Sequence, residues 1–362
     1  METVMSTHYF VGLDIAKNIF QIFLADQKGR EISNKKMKRT AMTDYFVQLP
    51  PSTIGIEACG TAHHWARKLK ELGHEVKIIQ PQRVKAFLGQ RSKTDAADAR
   101  AICEALMHPG TRFVRAKTIE QQDTDHLLAR RERLVHNSTQ IINQLRSFLA
   151  ERGIIIPQGA HHFRKAMPMI IAEHWEEFSG DFQAILTENF GEYEEVAERI
   201  VKLNELIKAR ASRTEDCKRL MVINGIGPLT ATALTAHVGD GRQFENGRQM
   251  AAYLGITPRE HSSGGKRHLL GISKRGSVRL RTLLILAARA AIHGIERRKK
   301  GVDGAPLRLN DFDRWILALK ERIGICKAAV ALANKLTRIA WAVLTKGVAF
   351  DPGKACLTKA DA

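Results

Sequence analysis

Four acidic residues are spaced so that they could act together on a phosphate. Asp14 lies in VGLDIA, whose other members (Val11, Leu13, Ile15) mark a buried strand. Glu57 closes STIGIEA, a second short buried strand. Asp95 and Asp98 follow in KTDAADARAICEAL, three residues apart and therefore on one face of a helix. An all-oxygen ligand set selects Mg²⁺ or Mn²⁺ over zinc, and two such ions can clamp the attacking and leaving oxygens of a phosphate. Without a cation, convergence is costly: like charges ~4 Å apart repel by about 4 kcal/mol at an effective dielectric of 20. Taken singly, Asp98 reads as a solvated helix residue and Asp95 as a first-turn acid facing the helix dipole. Asp14 is harder to dismiss, because a lone buried carboxylate is expensive.

The elements that must position these acids read as α/β. HYFVGLDIA, IFQIFLAD and REISNKKMKR form three strands of an antiparallel meander, and a helix follows near Thr43 to Leu49. STIGIEA is a strand, HHWARKLKELG an amphipathic helix, HEVKIIQP a strand stopped by Pro81, and a last helix begins near Thr94. In that order the first and fourth strands are neighbours, the last helix crosses them, and Asp14, Glu57, Asp95 and Asp98 converge.

Beyond these, two long helical stretches, about 120–151 and 192–220, are expected to pair as an antiparallel hairpin or coiled coil around an irregular link. Gly225-Ile226-Gly227-Pro228 reads either as an ordinary Gly-Pro turn or as a helix-hairpin-helix turn, whose backbone amides hold a DNA phosphate. Ser262-Ser263-Gly264-Gly265-Lys266 reads on composition as a flexible turn or a phosphate-binding loop. RTLLILAARAAIHGI and CKAAVALANKLTRIAWAVLTKG are close-packing helices.

Charge tips the balance at these loops. Lys and Arg number 57 against 38 acids, a net of +19. Arg259, Lys266, Arg267, Lys274, Arg275, Arg279, Arg281, Arg289, Arg297, Arg298, Lys299 and Lys300 follow one another, opposed only by Glu260 and Glu296. Such an excess favours a nucleic-acid partner through counterion release. No apolar run is long enough to span a bilayer, and METVMSTHYF lacks a signal-peptide layout, so a cytoplasmic protein without membrane contacts is expected. Cys59, Cys103, Cys217, Cys326 and Cys356 are scattered without a C-x-x-C pair and read as reduced, mostly buried thiols. His63-His64 and His161-His162 lack metal-type helical spacing and read as structural or surface residues. Aromatics are only 6% of residues, which argues against extensive base stacking.

VGLDIAK, GIEACG and KTDAADARAI resemble the acidic motifs of DEDD insertion-sequence transposases. YLGITPREHSSGGKRHLLGISKRGSVRLRTLLILAARA resembles the second domain of the same family. The resemblance covers nearly the whole chain and is weakest between about 155 and 215. It implies a Holliday-junction-resolvase-like, ribonuclease-H-fold domain over 1–115, a helical hairpin over 116–218 and a mostly α, serine-bearing transposase domain over 219–350. The tail, 351–362, is expected to be disordered.

The resemblance further implies metal held by Asp14, Glu57, Asp95 and Asp98, and a serine directly before Gly that attacks DNA to form a phosphoserine link. That serine is Ser263, with Ser262 the second choice. Lys93, Lys266, Arg267, Lys274 and Arg275 would face phosphate, with Gly225 and Gly227 as further nucleic-acid contacts; His261 and His268 are minor candidates for proton shuttles. DNA ends and target, a structured noncoding guide RNA and a dimeric or tetrameric assembly are the implied partners. The rivals are a junction nuclease in which water attacks, and a non-enzymatic nucleic-acid-binding protein.

Overall fold

The computed structural model describes residues 8–89, 94–266, 268–300 and 309–353. Lys93, Arg267, Cys356 and most of the expected tail lie outside them. The chain divides into two compact units, Met1–Ile119 and Glu120–Ala362.

The first unit is a six-stranded sheet with helices on both faces. Its elements are β1 (Phe10–Asp14), β2 (Ile19–Ala25), β3 (Glu31–Lys38), α1 (Met42–Gln48), β4 (Thr53–Glu57), α2 (Ala62–Glu71), β5 (Glu75–Ile79), α3 (Pro81–Leu88), α4 (Asp95–Met107) and β6 (Phe113–Val114). The strand order is β3-β2-β1-β4-β5-β6. β1, β2 and β3 form the antiparallel meander, whereas β1, β4 and β5 run parallel and β6 pairs antiparallel to β5. One face buries Val11, Leu13, Phe20, Ile22, Ile54 and Ile56 against Phe46, Trp65 and Leu69 of α1 and α2. The opposite face receives α3 and α4.

The fit of α4 depends on two glycines. A Cβ on Gly12 would stand 2.0 Å from the Ala99 carbonyl oxygen and 2.7 Å from the Cys103 amide nitrogen. One on Gly55 would meet Leu106 and Ile102 at 3.1 and 3.2 Å. The backbone of α4 therefore lies directly on β1 and β4. Two elements depart from the sequence reading. Pro81 does not merely stop β5; it occupies the first turn of α3, where its missing N–H costs nothing. The sheet also gains β6 as a short edge strand.

The second unit is almost entirely helical. It contains α5 (Ile119–Ala150, beginning at the unit boundary), α6 (Ala160–His174), α7 (Gly180–Arg213), α8 (Glu215–Met221), α9 (Pro228–Val238) and α10 (Gly247–Tyr253). A hairpin of β7 (Pro258–Glu260) and β8 (Leu269–Ile272) precedes α11 (Val278–Lys300), α12 (Asp311–Ile323) and α13 (Ile325–Lys346). Leu134, Ile141, Leu145 and Leu149 of α5 share a core with Leu186, Tyr193 and Val196 of α7. Arg131 donates to Asn204 at 2.6 Å, and Arg210 to the Glu120 carbonyl at 3.0 Å, so the two helices run antiparallel. The link between them is helical rather than irregular. Phe163, Met167 and Ile170 pack into the same core, and this burial outweighs the interruption at Pro168. A second core unites α8 to α13.

Cys103 and Cys217 are buried, but Cys59 and Cys326 are exposed, contrary to the expectation of mostly buried thiols. Burial pushes the Cys103 thiol up to about 12, which leaves it inert as a nucleophile. Among the described residues no helix is long and apolar enough to cross a membrane.

The close approach at Gly12 yields a prediction. Gly12→Ala should destabilise the first unit by about 1–3 kcal/mol through overpacking, read in full-length protein by urea unfolding followed at Trp65. Gly60→Ala, where a Cβ has nothing within 4 Å, is the control. Equal midpoints for the two variants would show that α4 does not depend on this contact.

Candidate active site

Asp14 and Glu57 each stand two residues after a glycine against α4, at Gly12 and Gly55. Strand periodicity puts all four side-chain positions on the α4 face of the sheet. Both acids end parallel strands and are half-buried. Thr94 caps α4, its hydroxyl accepting from the Ala97 amide at 3.2 Å, and the first turn carries Asp95 and Asp98. Asp95 is largely exposed and pairs with Lys36 at 3.2 Å. The Asp14 carboxyl is pushed up to about 6, first by burial and then by the charges of Asp98, Asp95 and Glu57. The three other sequence-predicted acids therefore all act on the fourth. They are not drawn into a finished cage: among the described residues no three acids, histidines or cysteines are close enough to hold a metal ion as they stand.

A residue that sequence reading missed completes this environment. Gln21 of β2 lies directly across from Asp14 in the strand register. It is 4% exposed. Its amide nitrogen donates to Asn34 Oδ1 at 2.5 Å, and Asn34 Nδ2 donates to the Ala96 carbonyl in the first turn of α4 at 3.2 Å. The side-chain oxygen of Gln21 is buried with no hydrogen-bond partner. A buried orphan acceptor, a carboxyl raised by burial and by its acidic neighbours, and an all-oxygen donor set fit a hard divalent cation with its water. The available signal was Gln21 itself, a lone polar residue in the apolar run IFQIFLA with the strand parity of the α4 face.

The expected nucleophile sits in the second unit, on the β7–β8 hairpin. Lys266 N donates to the Ser263 carbonyl at 3.1 Å, closing a two-residue turn through Gly264 and Gly265. Their φ values are 56° and 74°. Positive φ at both centres is the primed hairpin turn that glycine adopts without penalty. The doubled serine splits into two environments. Ser262 donates its hydroxyl to Glu260 Oε1 at 2.6 Å and accepts from the His268 amide at 3.4 Å. Ser263 is exposed beside the turn, and among the described residues no side-chain hydrogen bond engages its hydroxyl. His261 and His268 are joined through their backbones, with His261 N donating to the His268 carbonyl at 2.9 Å.

A family model described as transposase, of the DEDD IS110 type, matches residues 11–153, and one described as transposase of the IS116/IS110/IS902 family matches residues 217–301. The first spans all four acids; the second spans the Gly225 turn, the serine hairpin and α11. The chain is 40% identical over 338 residues to the transposase for insertion sequence element IS1111A of Coxiella burnetii, covering 93% of this chain and 89% of that protein. The chain belongs to the IS110 transposase family. It is also 35% identical to the transposase for insertion sequence element IS1328 of Yersinia enterocolitica, over 94% of this chain and 98% of the relative. A pilin gene-inverting protein of Moraxella bovis is 24% identical over 94% of this chain and 97% of its own length.

As a member of this family the transposase cleaves and rejoins DNA strands. Its basic segment divides into structural and exposed parts. Arg281 is buried and donates to the carbonyls of Leu254 and Arg275 at 3.3 and 3.0 Å. Arg279 pairs with Glu132 at 2.7 Å, and Arg298 with the fully buried Asp313 at 2.9 Å. Lys266, Lys274 and Arg275 are exposed. Lys274 holds a left-handed φ of 55° while its amide donates to the Gly255 carbonyl at 3.1 Å. A non-glycine residue kept there is strained, which marks a loop whose shape is imposed by its surroundings. At the predicted helix-hairpin-helix turn Gly225 has φ 92°, and a Cβ on it would stand 2.2 Å from the Ala287 carbonyl oxygen of α11. Gly227 is extended and precedes α9, with nothing near its missing Cβ. Packing therefore explains Gly225 but not Gly227.

The raised Asp14 carboxyl predicts a stability change of definite sign. Its folded-state value of about 6 exceeds the ordinary 3.8, so the folded state binds the proton more tightly. That stabilisation is complete at low pH, is lost as pH rises from about 4 to 6, and stays lost above. Discounted for partial exposure, Asp14→Asn should stabilise the metal-free transposase by roughly 1–2 kcal/mol at pH 7.5. Thermal melting with a chelator present should show a gain of a few degrees that vanishes near pH 4. A variant melting at or below wild type at pH 7.5 would show that burial and the neighbouring acids do not disfavour the Asp14 carboxylate in the folded state.

Proposed function

We propose that this transposase excises and inserts a mobile insertion sequence by divalent-metal-dependent strand cleavage, with Ser263 forming a covalent phosphoserine intermediate. The observation that carries the metal half is the Asp14 carboxyl, driven up to about 6 by burial and three converging acids. Asp14, Glu57, Asp95 and Asp98 would hold Mg²⁺ or Mn²⁺, with Gln21 accepting from water beside them. Bound there, the ion supplies positive charge to the phosphate undergoing substitution.

In the proposed reaction Ser263 Oγ bonds to phosphorus as the bond from phosphorus to a deoxyribose oxygen breaks. The serine proton passes to a base and the departing oxygen is protonated. Rejoining is the reverse: a hydroxyl of another DNA end attacks the phosphoserine and releases the serine. One phosphate ester replaces another at each stage, so no high-energy cofactor is needed. Lys266, Lys274 and Arg275, with Lys93 and Arg267, would neutralise charge on the phosphoryl oxygens. The exposed hydroxyl of Ser263 on a tightly constrained turn supports its assignment. Ser262 is the specific alternative, favoured by its contact with Glu260, a carboxylate able to take its proton. The Moraxella relative is named for inverting a gene, and inversion requires every cut end to be rejoined. That supports rejoining over the hydrolysis expected of a junction nuclease.

The meander followed by parallel strands supports a ribonuclease-H-like reading of residues 1–115. The α5–α7 pair supports an assembly hairpin or coiled coil over 116–218, and the α8–α9 turn a helix-hairpin-helix phosphate contact at Gly225 and Gly227 within 219–350. A noncoding guide RNA, a dimeric or tetrameric assembly and a nucleoid location complete the proposal; their support is the family membership and the net charge of +19.

The test is covalent trapping. Full-length protein, Mg²⁺, end-labelled element-junction DNA and the element's flanking transcript are combined and run on a denaturing gel. A labelled band at protein size is expected, lost in Ser263→Ala and in Asp14→Asn while Asp14→Asn still binds DNA. Loss only in Ser262→Ala would move the nucleophile by one residue. Cleaved DNA without any adduct would replace the serine mechanism by attack of water.

A further inference from the structure

The second unit holds a cleft that includes Gly225 of the proposed helix-hairpin-helix contact and extends it to two arginines the proposed reaction does not use. It has a volume of about 300 Å³ and lies between the turn at Asn224-Gly225 and the C-terminal half of α11. Ala290, Ala291 and Gly294 line it together with Arg297 and Arg298. The cleft is preformed, because Gly225 is pressed so closely on Ala287 of α11 that no side chain would fit between. Arg298 is held in place by Asp313, which is fully buried and also closes the capping box of α12. That bond uses part of a five-donor guanidinium and fixes its orientation. Arg297 is exposed. The adjacent Glu296 is engaged by Lys320 and His293, and among the described residues no carboxylate lines the cleft.

We infer that this cleft is a binding site for a phosphate of duplex DNA, gripped by Arg297 and the preoriented Arg298, and separate from the serine hairpin. The chemistry selects the occupant. Two guanidiniums beside small residues admit a phosphodiester closely and offer it positive charge. Among the described residues no aromatic ring lines the cleft, so unpaired bases have nothing there to stack on, and a duplex backbone is favoured over single-stranded RNA. Such a contact fixes register on the duplex without reading sequence. The inference rests on DNA as the family's substrate and not on the identity of the nucleophile.

The test measures binding of full-length protein to a labelled DNA duplex, and to the single-stranded RNA of matching sequence, by anisotropy across a salt series without Mg²⁺. Arg297→Gln should weaken duplex binding roughly 3–10-fold and make the log–log salt slope shallower by about 0.9, the share of one phosphate. Gly294→Glu, whose Cβ has open space, should weaken it further by placing a negative charge in the cleft. Arg199→Gln, removing a charge from α7, is the control and should change neither. Melting temperatures identify any variant that misfolds, and the two cleft variants perturb different atoms. Affinity and slope equal to those of Arg199→Gln would overturn the inference, as would a loss confined to RNA. Strand cleavage is not read, so the serine mechanism can fail while this site stands.

Discussion

The organisation of the first unit depends on one steric constraint: the backbone of α4 lies against β1 at Gly12, with no room for a single carbon between them. That contact sets the height of the helix above the sheet, and Thr94 then sets where the helix begins. Together they bring Asp95 and Asp98 to the strand ends carrying Asp14 and Glu57. The Gln21–Asn34–Ala96 chain fastens the same helical turn to the meander from the other side. Repulsion among the acids opposes this arrangement, and burial of the α4 face against Phe23, Ile79 and Val84 offsets it. The site is strained electrostatically because the packing is good enough to tolerate the strain.

The second unit solves a different problem. A serine proposed to attack DNA has to be exposed, yet an exposed loop is ordinarily mobile. Here the backbone is restricted by a two-residue turn, by the Ser262 contacts to Glu260 and His268, and by the close seating of the following loop. A Cβ on Gly255 would stand 2.0 Å from the Arg275 carbonyl oxygen, and one on Gly276 2.1 Å from that of Tyr253. Arg281 adds donor bonds to the same loop from beneath. Part of the basic segment thus shapes the surface that the remaining cations charge, so net charge alone overstates how many cations are available to DNA.

What the sequence revealed follows from how local each signal is. The four acids were legible because each sits at a position that strand alternation or helical spacing defines, and chain order then implied their convergence. The β7–β8 turn was only half legible: Gly264-Gly265 announces a turn, but the register that separates Ser262 from Ser263 comes from pairing with residues beyond it. Gln21 was hidden because one amide in an apolar strand carries no spacing partner, and its role emerges only when β1 and β3 are laid beside it. α3 was missed because Pro81 was read as an end. Proline tolerates the first turn of a helix as well as it stops a strand, and the flanking residues do not decide between these. Arg281 and Arg298 were counted with the surface cations because their acceptors, two backbone carbonyls and Asp313, are distant or unspecific in sequence.

The looseness of the acidic site is itself informative about the ion it would take. A structural zinc or calcium site brings its ligands into one shell through the fold, because the protein supplies nearly all of them. Mg²⁺ behaves otherwise: it gives up water reluctantly and accepts one or two carboxylates, with substrate phosphate supplying further oxygens. Acids that influence one another without forming a three-ligand cage among the described residues match that second pattern. On that account the carboxylates would provide negative potential and a few oxygens to such an ion, and the orphan Gln21 oxygen would accept from a water beside it. Substrate phosphate would supply the oxygens the carboxylates do not. Preassembly would require holding several carboxylates together in the absence of substrate, against a repulsion that already adds to burial in raising Asp14 to about 6.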